Sequence, residues 1–465
     1  MKTDTIAAIA TAMAGAGIGI IRVSGEDAIS VVEQIFQMKS GKKLSDMDSH
    51  TIHYGYICDG HEVIDEVMVI LMRRPKSYTL EDVVEVDCHG GIYVLKRILE
   101  IIVSHGARPA EPGEFTKRAF LNGRIDLSQA ESVIDLIQAK NEFALKSSLQ
   151  QLSGSVSTAI REIRADILHE IAFIESVLDD PEHISLDGYS ITLKEHMKHE
   201  RKKISHLLAN SDNGRILKEG ISTIIVGKPN AGKSSFLNTL LNEERAIVTD
   251  IPGTTRDILE EQLNLNGILL NVTDTAGIRE TDDVVERIGV DKAKTYLKDA
   301  DLILYIVDTS TELDENDMVI MKLLFGKRAI ILLNKSDLTV CIKSEDILRC
   351  LSKVGDGDQN YPIISISAKD GSGITEFEET VKNMFMSGEI TFNDEVYITN
   401  VRHKAALMEA DSSLGLVLQS IEAGMPEDFY SIDLMNAYES LGTIIGESVE
   451  DDLVNEIFSK FCMGK

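Results

Sequence analysis

The chain has 465 residues, with 47 Lys and Arg against 76 Asp and Glu, a net charge of −29 at neutral pH. That length holds about three domains, and the acidity excludes a broad basic groove for nucleic acid, so any RNA contact is local. Trp is absent, with 13 Phe and 11 Tyr, which excludes extensive base stacking; five scattered cysteines (Cys58, Cys88, Cys341, Cys350, Cys462) have no metal or disulfide spacing and fit a reducing compartment.

Thr5 to Ile21 is uncharged and rich in Ala and Gly, like a secretory signal. The charge before it is a single Lys followed closely by Asp4, and no strongly apolar run reaches about 18 residues, so we expect a cytoplasmic chain without a membrane span. Ile18–Val23, Val63–Arg73 and Asp82–Asp87 read as strands, and Ala28–Phe36 and Ile92–His105 as helices, giving a small α/β domain over 1–121. Residues 122–218 contain little Pro or Gly, and Ile160, Ile163, Ile167, Ile171 and Ile174 recur at helical spacing. That stripe predicts a helix burying one face in a bundle, with a dimerising coiled coil as the alternative.

The apolar run Ile221–Val226 leads into Gly227-Lys228-Pro229-Asn230-Ala231-Gly232-Lys233-Ser234-Ser235, a phosphate-binding loop, and Ser234–Leu241 reads as the helix after it. Strand, loop and helix in that order are what the motif needs: backbone N–H groups turn inward around phosphates and the helix N-terminus favours negative charge. Lys233 would reach the β- and γ-phosphates, and the Ser234 hydroxyl would serve Mg²⁺. Asp274-Thr275-Ala276-Gly277 follows the run Ile268–Thr273; Asp274 would hold Mg²⁺ through water and the Gly277 N–H would sense the γ-phosphate. Asn334-Lys335-Ser336-Asp337 ends the run Ala329–Leu333, and Asp337 can accept the two N–H groups that guanine offers and adenine does not. Ser367-Ala368-Lys369 would back the guanine O6, and Thr254-Thr255 supplies a switch threonine that closes on Mg²⁺ and the γ-phosphate. Five short motifs in this order predict a GTP-binding domain over 219–382. Residues 383–465 read as helical again, from Arg402 to Ala423 and from Ser431 to Phe461. The predicted fold is thus α/β plus all-α: an N-terminal α/β domain, a helical bundle made of 122–218 and 383–465, and a Ras-like P-loop GTPase domain inserted between its halves.

Ile278 follows Gly277 where small signalling GTPases carry a water-orienting Gln. Glu286 in the next segment is a candidate to orient the water, against the reading of one more acid on an acidic surface. Asn230 offers a side-chain oxygen beside the phosphates through which K⁺ could neutralise developing charge.

The motifs now extend over the whole chain: Asp4–Ala8, Gly17–Gly25, Glu81–Glu85, His89-Gly90-Gly91, Pro112–Thr116, Ala119–Gly123, Asp126-Leu127, Ala246–Asp257 and the terminal Phe461-Cys462-Met463-Gly464-Lys465. In these the chain resembles the MnmE (TrmE) family of tRNA-modification GTPases. The resemblance implies an N-terminal domain similar to the folate-binding domain of glycine-cleavage T-proteins, which dimerises and binds 5-formyltetrahydrofolate or a related tetrahydrofolate one-carbon donor. Arg22, Glu85, Arg124 and Lys465 match the folate contacts. Asn230, Thr249, Ile251 and Thr254 match K⁺ ligands, Ser234 and Thr255 match Mg²⁺ ligands, and Glu286 matches the catalytic glutamate; Asp250, Pro252 and Gly253 lie in the same nucleotide-binding segment. It implies a homodimer that works with a flavin-dependent partner, MnmG, to place a carboxymethylaminomethyl-type group on C5 of the wobble uridine of tRNA. Cys462 matches the family's Cys-x-Gly-Lys ending and gains a role in the modification chemistry. Such a tail must reach the N-terminal domain of its own chain or of a dimer partner. Thr11-Ala12-Met13-Ala14-Gly15 lacks the proline that most relatives carry there. A pure GTPase switch of the Era kind and a folate-dependent methyltransferase with a regulatory GTPase are the competing readings; an assembly factor would more naturally carry a basic RNA-binding domain.

Overall fold

The structure, a computed structural model, describes residues 4–179, 188–209, 211, 214, 218–241, 260–265, 268–274, 300–355, 361–385, 396–447, 451–462 and 464. They divide into two compact units, one of Met1–Gln138, Ser148–Ser205 and Ala405–Lys465, the other of Ala139–Ser147 and His206–Lys404.

The first unit opens with β1 (Ile6–Ile9), β2 (Ala16–Ser24), α1 (Ala28–Glu33), β3 (Phe36–Met38), β4 (Thr51–Asp59), β5 (Glu62–Met72), β6 (Val83–Gly90), α2 (Ile92–Ser104), β7 (Arg108–Pro109) and α3 (Glu114–Leu121). The strands form one seven-stranded sheet in the order β3-β4-β5-β6-β2-β1-β7. Alternation puts Ile21, Val23, Val84 and Val86 on the inner face, against Leu95, Ile98 and Ile102 of α2. The same alternation sends Arg22 and Glu85, cross-strand partners in the β2–β6 register, to the opposite face. There a row of Tyr54, Met68, Asp87 and Ile20 crosses four strands, and Ile18, Ile52, Tyr54 and Met68 remain exposed. The uncharged run rich in Ala and Gly is two paired strands, with Ile6 and Ala7 fully buried. One expectation needed correction here. The helix expected to reach Phe36 stops at Glu33, because Phe36 pairs with Ile57 of β4; strand pairing decides where local periodicity is ambiguous.

Four helices follow: α4 (Leu127–Gln138), α5 (Glu142–Leu152), α6 (Ser155–Asp179) and α7 (Tyr189–Ala209). All five isoleucines of the α6 stripe are at most 2% exposed inside this chain. The stripe is therefore a bundle face, and the coiled-coil alternative is excluded.

The second unit carries β8 (Ile221–Val226), α8 (Lys233–Leu241), β9 (Glu260–Leu265), β10 (Ile268–Asp274), β11 (Leu302–Asp308), α9 (Glu315–Leu323), β12 (Ala329–Asn334), α10 (Ser344–Val354), β13 (Ile363–Ser365) and α11 (Ile374–Phe385). Its sheet runs β13-β12-β11-β8-β10-β9, parallel throughout except for the antiparallel β9–β10 pair. Both faces are covered: Leu302, Leu304 and Ile306 of β11 join one core, and Ile303, Tyr305 and Val307 the other. The chain runs from β8 to β10 on one side and to β11 on the other, so the loop after β8 opens at the switch point where α/β sheets take ligands.

The chain then returns to the first unit through α12 (Val401–Glu422), α13 (Glu427–Ile445) and α14 (Asp451–Ser459). On α6, buried Arg164 donates to the Tyr438 carbonyl of α13 at 3.1 Å, pairs with Glu447 and lies over the Tyr438 ring. The single helical stretch expected from Ser431 to Phe461 is two helices. Gly446 breaks it at φ +86°, and a Cβ there would come within 2.7–2.9 Å of the Phe120 ring and Leu127 Cβ. Among the described residues no helix is long and apolar enough to cross a membrane. Gly446→Ala adds left-handed strain and a collision, so it should cost about 2 kcal/mol, read as a lower midpoint in thermal denaturation; an unchanged midpoint would mean that the break tolerates a side chain.

Candidate functional sites

In the second unit the phosphate loop is shaped by backbone conformation. Asn230 sits at φ +59° and Gly232 at φ +94°, so successive N–H groups curl inward ahead of α8. The Lys233 ammonium bonds the carbonyls of Gly227 and Lys228, each at 2.8 Å, which places it over the loop. Ala231 is buried, and Ser234 and Ser235 are exposed on the first turn of α8. A Cβ on Gly232 would collide with the Asn334 amide, so glycine is what lets that amide in.

Asn334, 1% exposed at the end of β12, is the centre of the site. Its Nδ2 donates to the Ala231 carbonyl at 2.8 Å, and its Oδ1 accepts the Ala368 N–H at 3.1 Å. One side chain thereby braces the phosphate loop against the Ser367-Ala368-Lys369 loop, a positioning role that the motif alone did not reveal. Thr239 of α8 adds a second tie, its hydroxyl reaching the Ala368 carbonyl at 2.6 Å. Buried Ser367 donates to Asp337 Oδ1 at 3.0 Å, orienting an exposed carboxylate beside exposed Lys369. Lys335 occupies φ +65° and pairs with Asp308 at 2.6 Å. Burial pushes the Asp308 carboxyl up, but Lys335 and the Ser310 hydroxyl and amide outweigh it and hold it below the usual carboxylate range. The loop, the Asn334–Asp337 segment and Ser367-Ala368-Lys369 are therefore brought together. Asp274 is placed at the end of β10, opposite Ile225 of β8. Thr249, Asp250, Ile251, Pro252, Gly253, Thr254, Thr255, Thr275, Ala276, Gly277, Glu286 and Lys465 lie outside the described residues.

A second cluster lies on the outer face of the N-terminal sheet. Arg22 Nε donates to Glu85 Oε1 at 2.7 Å, and its guanidinium lies 5.4 Å from the Tyr78 ring and 5.6 Å from that of Phe115. Arg124 stacks on Tyr78 at 4.6 Å and donates to its carbonyl at 3.1 Å. Two of the predicted residues, Arg22 and Arg124, thus converge on Tyr78, which the sequence reading missed, and Glu85 joins them through Arg22; an aromatic just before Glu81-Asp82 was the available signal. The Tyr78 loop is fixed from beneath. Arg118, with a side chain 9% exposed, pairs with Asp4, Glu81 and Glu114, and Arg108 pairs with Asp4 and Glu114. Burial raises the Glu114 carboxyl, but Arg108, the Glu111 amide and Arg118 bring it below the usual range. Next to Glu85 on that face, burial and then Glu85 itself push Asp87 up.

The C-terminal tail meets this cluster within its own chain. Arg22 Nη1 donates to the Gly464 carbonyl at 3.1 Å, and the Gly113 N–H points to the Cys462 carbonyl at 3.4 Å. Phe461 is buried against Phe458, and Cys462 is exposed.

Comparison with known proteins identifies relatives along the whole chain. A model of the GTP-binding protein TrmE N-terminus matches residues 5–124, and one of the MnmE helical domain matches residues 127–462. The chain is 59% identical over 466 residues to the tRNA modification GTPase MnmE of Lachnoclostridium phytofermentans, covering 100% of both chains. It is 45% identical to that of Bacillus subtilis, over 99% of this chain and 100% of the other. A solved structure of Aquifex aeolicus Era bound to GDP.AlF4- aligns at 28% identity over 42% of this chain and 67% of that one, with a TM-score of 0.28.

Asn334→Asp would set a carboxylate against the Ala231 carbonyl and leave buried groups unpaired. Guanine-nucleotide affinity should fall about 30-fold or more, as measured by titration with a fluorescent GDP analogue; wild-type affinity would show that Asn334 is not the brace.

Proposed function

The chain belongs to the MnmE (TrmE) family of tRNA modification GTPases, and from that premise we propose how its two sites divide the work. It is a GTP hydrolase of tRNA modification. In our reading it acts on C5 of the wobble uridine, adding a carboxymethylaminomethyl-type group together with a flavin-dependent partner of the MnmG kind, in the cytoplasm. The domain limits that we assign are 1–121 for folate binding and dimerisation, 122–218 and 383–465 for the helical domain, and 219–382 for the GTPase.

The observation that carries this reading is the position of the tail, whose Gly464 carbonyl is bonded to the same Arg22 that pairs with Glu85. The pocket suits a folate: guanidinium and carboxylate pair bidentately with pterin and glutamate edges, and Tyr78 offers a ring face. A bound tetrahydrofolate would supply a one-carbon unit there, held by Arg22, Glu85, Arg124 and Lys465. Exposed Cys462, two residues from Gly464, is the thiol to which we assign a part in the modification chemistry. The exposed Ile18, Ile52, Tyr54 and Met68 on that sheet face support a homodimer formed through this domain.

At the nucleotide site the inward-turned loop and Lys233 suit the β- and γ-phosphates of GTP. The exposed Ser234 hydroxyl on the first turn of α8, with Thr255, suits Mg²⁺. Asn230, turned left-handed within the loop, with Thr249, Ile251 and Thr254, suits K⁺, whose charge would offset that developing on the phosphates. Glu286 would orient the attacking water in place of the missing Gln.

Two experiments test this. Nucleoside analysis of tRNA from a strain lacking the chain should show loss of the modified wobble uridine, restored by the wild-type chain and not by Cys462→Ser; a modification that persists in the deletion strain refutes the function, and rescue by Cys462→Ser refutes the role of the thiol. GTP turnover should fall at least about tenfold when Na⁺ replaces K⁺, and Glu286→Ala should lower kcat by about 10²–10⁴ with GTP affinity nearly intact; equal rates in both salts remove K⁺ from the site.

A further inference from the structure

Lys228 stands inside the phosphate loop, yet its side chain is engaged elsewhere. Its ammonium bonds Asp317 Oδ2 at 2.7 Å and Asp314 Oδ2 at 3.1 Å, and approaches the Glu312 carbonyl at 3.4 Å, all at the N-terminal end of α9. Asp317 is 1% exposed, and both its oxygens are used. Oδ1 accepts the hydroxyl of fully buried Tyr305 from the middle of β11 at 2.7 Å; Oδ2 accepts the Asp314 N–H at 2.9 Å as well as Lys228. A continuous chain of polar contacts therefore runs from the sheet core through Asp317 to Lys228. The Lys228 carbonyl, together with that of Gly227, is what the Lys233 ammonium bonds.

An exposed ion pair here would contribute little, because water competes for both charges. This one is different: its carboxylate is buried, so losing the cation leaves an uncompensated charge next to the loop. Burial pulls the Lys228 ammonium down, but Asp317 and Asp314 outweigh it and keep it charged.

We propose that Lys228 is a positioning residue for the nucleotide: its ion pair with Asp317 holds the first half of the phosphate loop, and through the Gly227 and Lys228 carbonyls it sets where Lys233 stands. The loop cradles the phosphates of substrate and product alike, so loss of this anchor weakens GTP and GDP equally and spares the chemical step.

The test uses the full chain, with fluorescent GDP and non-hydrolysable GTP analogues for affinity and steady-state kinetics for turnover. K228M should weaken both nucleotides about tenfold, the scale of one charge-assisted contact, with kcat changed by less than about threefold. K228R keeps the charge and should restore most of the affinity. D317N should weaken both nucleotides as K228M does. Wild-type affinity in K228M overturns the proposal. So does a D317N chain that binds as tightly as wild type while K228M binds weakly, since Lys228 would then act on the nucleotide directly. Thermal midpoints of each variant separate loss of anchoring from loss of folding; should D317N not fold, the K228M and K228R comparison still decides whether the cation matters.

Discussion

Arg164 on α6 and Tyr438 on α13 lie 274 residues apart in the chain and touch in the core of one bundle. That closure is the constraint on which the other arrangements depend. It makes the GTPase an insertion whose two covalent ends both return to the same packed unit. It also carries α14 and the tail back to the N-terminal sheet, where Phe461 is buried and Gly464 meets Arg22. Cys462 and Gly464 owe their place beside Gly113 and Arg22 to it.

The two sites are held by different physics. At the nucleotide site the work is done by backbone conformation and by single buried polar groups. Asn230 and Lys335 adopt left-handed conformations that non-glycine residues seldom take, and such strain persists only where surrounding contacts over-determine it. Asn334 and Asp317 are those contacts: each is about 1% exposed, with its polar atoms engaged by loop and core. At the N-terminal site the work is done by charge balance. Buried Arg118 and partly exposed Arg108 share three carboxylates, Asp4, Glu81 and Glu114, and this network carries the Tyr78 loop. Arg22 and Arg124 gather on the Tyr78 ring, and the Arg22 charge is met by Glu85.

The same division explains what was legible in the residues alone. Ligand chemistry in the phosphate loop and the guanine motif depends on short contiguous runs, so Gly227–Ser235, Asn334–Asp337 and Ser367–Lys369 could be read directly and lie together in the structure. The α6 stripe was equally plain, because a helix buries every third or fourth residue whatever its partner. Boundaries were less legible. Phe36 suits a helix or a strand, and only pairing with Ile57 decides; Gly446 reads as a tolerable helix residue until Phe120 and Leu127 press on it.

The sequence by itself determined the fold class and the P-loop GTPase, because those follow from local pattern and side-chain chemistry, whereas the N-terminal cluster was named only through the family resemblance. Tertiary structure alone decided that the tail docks within its own chain, that Tyr78 gathers Arg22 and Arg124, that Asn334 braces two loops and that Lys228 turns towards Asp317. Each of these joins residues far apart in the chain, and such a contact is specified by the packing of whole elements, which no local run of residues encodes.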